Sequence, residues 1–279
     1  MKLSGDLPAI SWVDLVSRMA TVDPKSNGGR LVKGSVRVTR VESTGPCPVH
    51  FETPLGPMRG YLADEWDLEH FINKYLGLLP DAPLGLTPRI EPGDTVVEVG
   101  PWIGSFVRFA LSRGAARVIA LEAMPVNIEC FRMNFEHEIS EGRVSLVEAA
   151  AWRESGTVRM TFAGASNHRN SNEGFYITDE GEFEVPAVTI DEALAKLDVE
   201  GVDFINMDIE GAERHALAGA AGTIRRDRPE LMVCMHHLLD DEEAIQETMR
   251  EIAPEAKLLT DGGHARFITS ISGLADAMP

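Results

Sequence analysis

An α/β fold, with a mostly parallel sheet covered by helices on both faces, is what the sequence predicts, and three observations carry it. From about residue 91 onward, apolar β-rich runs alternate with segments of helical periodicity. One run, Asp94-Thr-Val-Val-Glu-Val-Gly100, ends in an acid and a glycine just ahead of a helix pattern. The next, Arg117-Val-Ile-Ala-Leu-Glu122, also ends in a carboxylate. Strands that alternate with helices pair in parallel, and both faces of such a sheet must be covered.

Each element has its own signal. Ile10, Val13, Leu15, Val16 and Met19 fall at helical spacing, which predicts a short amphipathic helix over 10–20. Pro24 to Gly29 is a loop by composition, Leu31 to Val41 alternates apolar and basic residues as a strand does, and Glu65 to Leu79 reads as a helix. Pro80 to Pro92 holds four prolines and is the best linker. The chain therefore divides into a small N-terminal α/β extension, 1–90, and a ligand-binding domain, 91–279. In the second part strands are expected near 94–99, 117–121, 144–149, 202–208 and 231–236. Helices are expected near 104–113, 125–137, 190–197, 211–221 and 240–252. Two last strands, near 256–260 and 265–270, flank Asp261-Gly-Gly-His264, where Gly262-Gly263 signals a hairpin.

The stretch before residue 190 breaks the alternation. It holds two strand-like pieces, Gly156 to Phe162 and Phe183 to Ile190, separated by a long polar loop at 163–174. A long loop in a compact domain is usually functional or disordered. We expect a lid over the acceptor substrate, with His168, Arg169 and Asn170 as its contacts.

The turn after the first core strand is the expected ligand site. A strand, a tight turn and a helix start form the usual nucleotide cradle. Gly100 permits close approach of the backbone, Ile103 lies within the turn, and Gly104 opens the helix. Glu98, near the strand end, needs a partner once buried, which a ligand ammonium or ribose can supply. The dinucleotide fingerprint requires glycine at 102 and glycine or alanine at 105, and this chain has Trp102 and Ser105. An indole where a pyrophosphate would lie argues for a ligand without phosphates, of which S-adenosylmethionine is the common one. Glu122, 24 residues after Glu98, is placed to accept from both ribose hydroxyls. Met124 suits either an adenine face or core packing. Glu148, Ala149 and Ala150, closing the third strand, are expected at the adenine edge.

Composition narrows the class. The formal net charge is −18, which argues against a nucleic-acid substrate. Residues 1–50 carry a net +3, and the rest −21. That basic segment can lie on the acidic body, on a partner subunit in a homo-oligomer, or in solvent. Cys47, Cys130 and Cys234 form no Cys-x-x-Cys pair, so no zinc or redox motif is visible, and any disulfide leaves one thiol over. With no signal-peptide pattern and no run long enough to span a bilayer, the sequence predicts a soluble, cytoplasmic protein without a membrane partner.

Three segments together resemble a known family. Val-Glu-Val-Gly-Pro-Trp-Ile-Gly104, Leu-Glu-Ala-Met-Pro-Val-Asn127 and Met207-Asp-Ile-Glu-Gly-Ala-Glu213 are similar to those of FkbM-type S-adenosylmethionine-dependent methyltransferases. The Asp-Ile-Glu-Gly piece is the most specific. The resemblance implies the Rossmann-like seven-stranded sheet of class I methyltransferases, with an antiparallel strand near the C-terminus. It also implies O-methylation of a hydroxyl on a sugar or small natural product. The family usually has Asp at Glu98, often Asn at Trp102, and Glu-x-His where this chain has Cys234-Met-His236. N-methylation is the runner-up reaction. A nucleotide-dependent oxidoreductase or a non-catalytic cofactor-binding protein are the alternatives from other classes.

The chemistry is expected at the ends of the fourth and fifth core strands. Asp208 and Glu210 point the same way on an extended chain, and two like charges held together raise the pKa of one. The pair can act as a general base, bind a divalent metal through oxygen, or complement a helix dipole. His236 ends the fifth strand and can assist as base or orient an acid. His237 should face the opposite side if the strand continues.

Overall fold

The computed structural model describes residues 37–40, 49–60, 88–162, 175–260 and 264–269. The helices expected over 10–20 and 65–79, the loop at 163–174 and the Gly262-Gly263 turn lie outside them.

Three sheets are present among the described residues. The central one has seven strands, ordered β13 (Lys257–Thr260), β14 (His264–Ile268), β12 (Glu230–Cys234), β11 (Phe204–Met207), β4 (Thr95–Val99), β5 (Arg117–Leu121) and β6 (Val144–Val147). All neighbours are parallel except β14, which runs antiparallel to both β12 and β13. The strand order reverses between β4 and β11, and the carboxyl ends there form the crevice where such sheets bind ligands. β14 is the antiparallel strand expected near the C-terminus, and it sits between β13 and β12.

Side-chain alternation feeds two cores. Val97, Val99, Ile119, Leu121, Ile205, Met207, Leu231 and Val233 face one side of the sheet. Val96, Val118, Ala120, Phe204 and Met232 face the other, against Phe106, Phe109, Phe131 and Phe135. Strands buried on both faces read as continuous apolar runs, which is why they were visible in sequence.

The irregular stretch before residue 190 becomes a sheet of its own. β8 (Gly156–Phe162) pairs antiparallel with β10 (Phe183–Val188) and with β9 (Phe175–Ile177), while β7 (Ala150–Ala151) joins β10 in parallel. A third, antiparallel sheet comprises β1 (Arg37–Arg40), β2 (Val49–Thr53) and β3 (Gly56–Gly60). Asn134, buried at the end of helix Pro125–Asn134, ties this sheet to the ligand-site turn. Its Nδ2 donates to the carbonyls of Arg59 and Ile103, both at 2.9 Å, and its Oδ1 accepts the Arg59 N–H at 2.7 Å. Cys130, on the same helix, is disulfide-bonded, which weakens the argument from cysteine count for a reducing compartment. No helix among the described residues is long and apolar enough to cross a membrane.

Candidate active site

The turn after β4 is built as the sequence suggests, but its space is used differently. Gly100 (φ 79°) and Gly104 (φ 97°) both adopt left-handed backbone, and Gly104 precedes helix Ser105–Ser112. A Cβ on Gly100 would lie 2.2 Å from the Asp208 carbonyl oxygen, and one on Gly104 would lie 2.1 Å from the Phe135 ring. Both gaps are filled by the chain itself. Trp102, at the position of the fingerprint's second glycine, also has positive φ (52°), a conformation that costs a bulky residue on the order of 1–3 kcal/mol. Ile103 is fully buried against Gly60 and does not open to solvent.

Glu122 holds that turn in place. One of its oxygens accepts the N–H groups of Ala123 (2.9 Å) and Met124 (2.8 Å). The carboxylate also takes the Trp102 N–H and the Asn127 side chain. Burial pushes its carboxyl up to about 7 against the lowering effect of these donors. A ribose reaching Glu122 therefore has to displace a donor. Glu98, 3% exposed, is different. It lies in register with Asn206 of β11, which hydrogen-bonds to it, yet its Oε2 has no partner. Burial, with the Asp208 charge adding to it, raises its carboxyl well above the usual range. This orphaned acceptor is the feature that fits a ligand donor.

The adenine-edge residues are not assembled at one surface. β6 stops at Val147, and the chain is then drawn into the second sheet. Glu148 is exposed and pairs with Arg132, while Ala149 and Ala150 are buried in separate apolar clusters. Met124 packs with Val126, Ala150, Met160 and Val185, the core alternative. His168, Arg169 and Asn170 lie outside the described residues.

The ends of β11 and β12 bring the acids together around a histidine, and it is His237. β12 ends at Cys234 and the chain bends, so strand alternation does not extend to residue 237. The His237 Nε2 stands 3.3 Å from Asp208 Oδ1 and 3.7 Å from Glu210 Oε2, and its Nδ1 is 3.1 Å from Glu213 Oε1. Glu213, wholly buried at the start of helix Glu213–Ala218, also accepts the N–H of Ile209 (2.8 Å) and of Gly211 (2.9 Å). Glu210 has positive φ (56°), a second strained position at the site. His236 turns instead toward Cys234 Sγ, with Nδ1 at 3.0 Å, and its ring lies 4.7 Å from that of His237.

Burial lowers the tendency of His237 to hold a proton, but Cys234, Glu213 and Asp208 together raise its pKa to about 12. The carboxylates are the cause that operates at neutral pH, because burial keeps the Cys234 thiol neutral by pushing it up to about 12. The neighbouring acids thus favour the charged form of His237. Asp208 and Glu210, with side chains 28% and 29% exposed, are the acids of this cluster that reach solvent, whereas Glu213 does not. Sequence reasoning set His237 aside as facing the opposite side, and it missed Glu213 as the orienting partner and Asn206. The adjacent histidines and a lone amide in the apolar strand Phe-Ile-Asn-Met207 were the available signals.

With a doubly wound sheet, a glycine turn and an acid cluster at the strand reversal, comparison with known proteins decides the family. Residues 95–262 match the methyltransferase FkbM domain. The chain belongs to the FkbM methyltransferase family. It is 28% identical over 160 residues to the 31-O-demethyl-FK506 methyltransferase FkbM of Streptomyces tacrolimicus, a match covering 47% of this chain and 61% of that relative. The crystal structure of methyltransferase FkbM from Methylobacillus flagellatus KT superposes with a TM-score of 0.51 at 17% identity. That likeness covers 71% of this chain and 47% of the other and supports the fold. The chain thus spans less than two thirds of the length of these FkbM relatives.

Proposed function

We propose that this FkbM methyltransferase uses S-adenosylmethionine to O-methylate a hydroxyl of a sugar or small natural product. The observation that carries the reading is the placement of Asp208. It is a partly exposed carboxylate at the end of β11, one strand from the orphaned oxygen of Glu98. The name of the Streptomyces relative supports oxygen as the acceptor atom.

The cofactor supplies an activated methyl group. The protein must orient the acceptor, exclude water and take away one proton. Glu98 and Glu122 would hold the cofactor, Glu98 through its unpartnered Oε2 and Glu122 by giving up one of its present donors for a ribose hydroxyl. Asp208 would accept the proton of the acceptor hydroxyl. His237, charged and anchored by Glu213, holds Asp208 in place and compensates the neighbouring acids. Glu210 lines the same pocket of charge. Residues 163–174, with His168, Arg169 and Asn170, would contact the acceptor.

Asp208→Asn keeps the shape and removes the base. Turnover should fall by about 10²-fold or more, the usual share of general-base catalysis, with S-adenosylhomocysteine affinity by calorimetry unchanged within a few-fold. A folded Asp208→Asn enzyme turning over at the wild-type rate would remove Asp208 from the chemistry.

A further inference from the structure

We propose that Cys234, His236 and His237 form a binding site for a borderline-soft divalent cation of the zinc class, independent of the identity of the methyl acceptor. Three observations support it. The first is spacing. In a tetrahedral shell with zinc–sulfur near 2.3 Å and zinc–nitrogen near 2.0 Å, donor atoms lie about 3.3–3.6 Å apart. Cys234 Sγ stands 3.0 Å from His236 Nδ1 and 3.8 Å from His237 Nε2, and all three donors fall within 4.8 Å of one another. Small adjustments of two rings would bring them onto one centre.

The second is orientation. A metal-bound histidine characteristically gives its other ring N–H to a carboxylate, which fixes the tautomer. His237 Nδ1 is placed to give its N–H to Glu213 Oε1 at 3.1 Å, and Glu213 is itself clamped by two backbone N–H groups. Nε2 is thereby left as the ligating atom, and a cation bound there takes the place of its proton and of the Cys234 thiol proton, both of which are released to solvent. The third is charge. Nε2 faces Asp208 at 3.3 Å and Glu210 at 3.7 Å, so a dication would sit among acids. The N₂S donor set selects zinc over magnesium, whose preferred ligands are oxygens. It replaces the oxygen-only pair, Asp208 with Glu210, that the sequence suggested. Three protein donors leave a fourth position, and Asp208 stands beside it.

The test is metal binding by the full chain, without cofactor or acceptor, so that its failure and a failure of methyl transfer are told apart. Protein stripped with chelator should bind one equivalent of Co²⁺, with the intense near-ultraviolet absorption of a thiolate–cobalt bond, and Zn²⁺ should displace it. Cys234→Ser should abolish that absorption. Glu213→Gln should weaken Zn²⁺ binding by about 10–100-fold, the effect of losing an outer-shell partner. X-ray absorption of the zinc-loaded wild type, which needs no variant to fold, should show one sulfur and two imidazole nitrogens. A shell of oxygen and nitrogen alone would overturn the proposal. So would a cobalt band that persists in folded Cys234→Ser.

Discussion

The turn after β4 and the cluster after β11 and β12 hold acids in opposite ways. At the turn, Glu122 is satisfied almost entirely by neutral donors, three of them backbone N–H groups. At the cluster, Asp208, Glu210 and Glu213 are held by one buried cation. A carboxylate held by neutral donors can lose its charge without disrupting its neighbours, whereas removing one partner of a buried ion pair leaves the other uncompensated. On the proposed function, the first region admits the ligand and the second keeps its charge pattern while a proton moves.

The largest effect that would break this contrast is at Glu213. Replacing it with alanine strips His237 of its anchor and should destabilise the protein by about 3–5 kcal/mol in urea unfolding, the cost of breaking a buried pair. A loss below about 1 kcal/mol would show that Asp208 and Glu210 suffice.

Next is the pH response of Glu122. Its folded pKa, about 7, lies above the ordinary 4.5. The folded state therefore binds the proton more tightly, and this stabilisation, full below 4.5, is lost as pH rises through 7. At about 1.4 kcal/mol per pKa unit the loss is on the order of 3 kcal/mol. Subtracting the pH–stability curve of Glu122→Gln from that of the wild type should isolate it. A flat difference between pH 4.5 and 7 would contradict the burial cause.

Gly100→Ala probes the point where the regions touch. A methyl group would press on the Asp208 carbonyl from a left-handed backbone, so stability should fall by more than about 1 kcal/mol. Turnover should fall beyond that loss, because Asp208 is displaced. Equal activity per folded molecule would uncouple the two sites. The smallest effect is expected at Glu148→Ala. An exposed pair contributes about 0–1 kcal/mol, and cofactor affinity should stay within a few-fold. A large loss of affinity would return Glu148 to the adenine edge.

Much of the fold was legible because its central strands are buried on both faces. β5 and β8 fall on the expected residues, Arg117–Leu121 and Gly156–Phe162. β7 and β9, two and three residues long, were not visible. Such pieces are strands only by virtue of pairing with β10 and β8, a tertiary effect without local periodicity. At the site, Asp208 and Glu210 were legible from their spacing, and they do meet a histidine. Which histidine depends on where β12 ends, and an alternation argument carried past Cys234 points to the wrong ring. The use of Gly100 was half legible. The positive φ follows from residue type, but the Asp208 carbonyl that fills the space comes from a strand more than a hundred residues away.

Asn134 has a consequence for how this chain can vary. Its two bonds to residue 59 go to the main-chain N–H and carbonyl, never to the arginine side chain. The joint between the β1–β3 sheet and the ligand-site turn is therefore blind to sequence at residue 59. Any non-proline residue there keeps both bonds. Exchanging Arg59 for another non-proline residue should leave this joint intact, provided the amide at 134 is retained, whereas Gly60, packed against Ile103, has no such freedom.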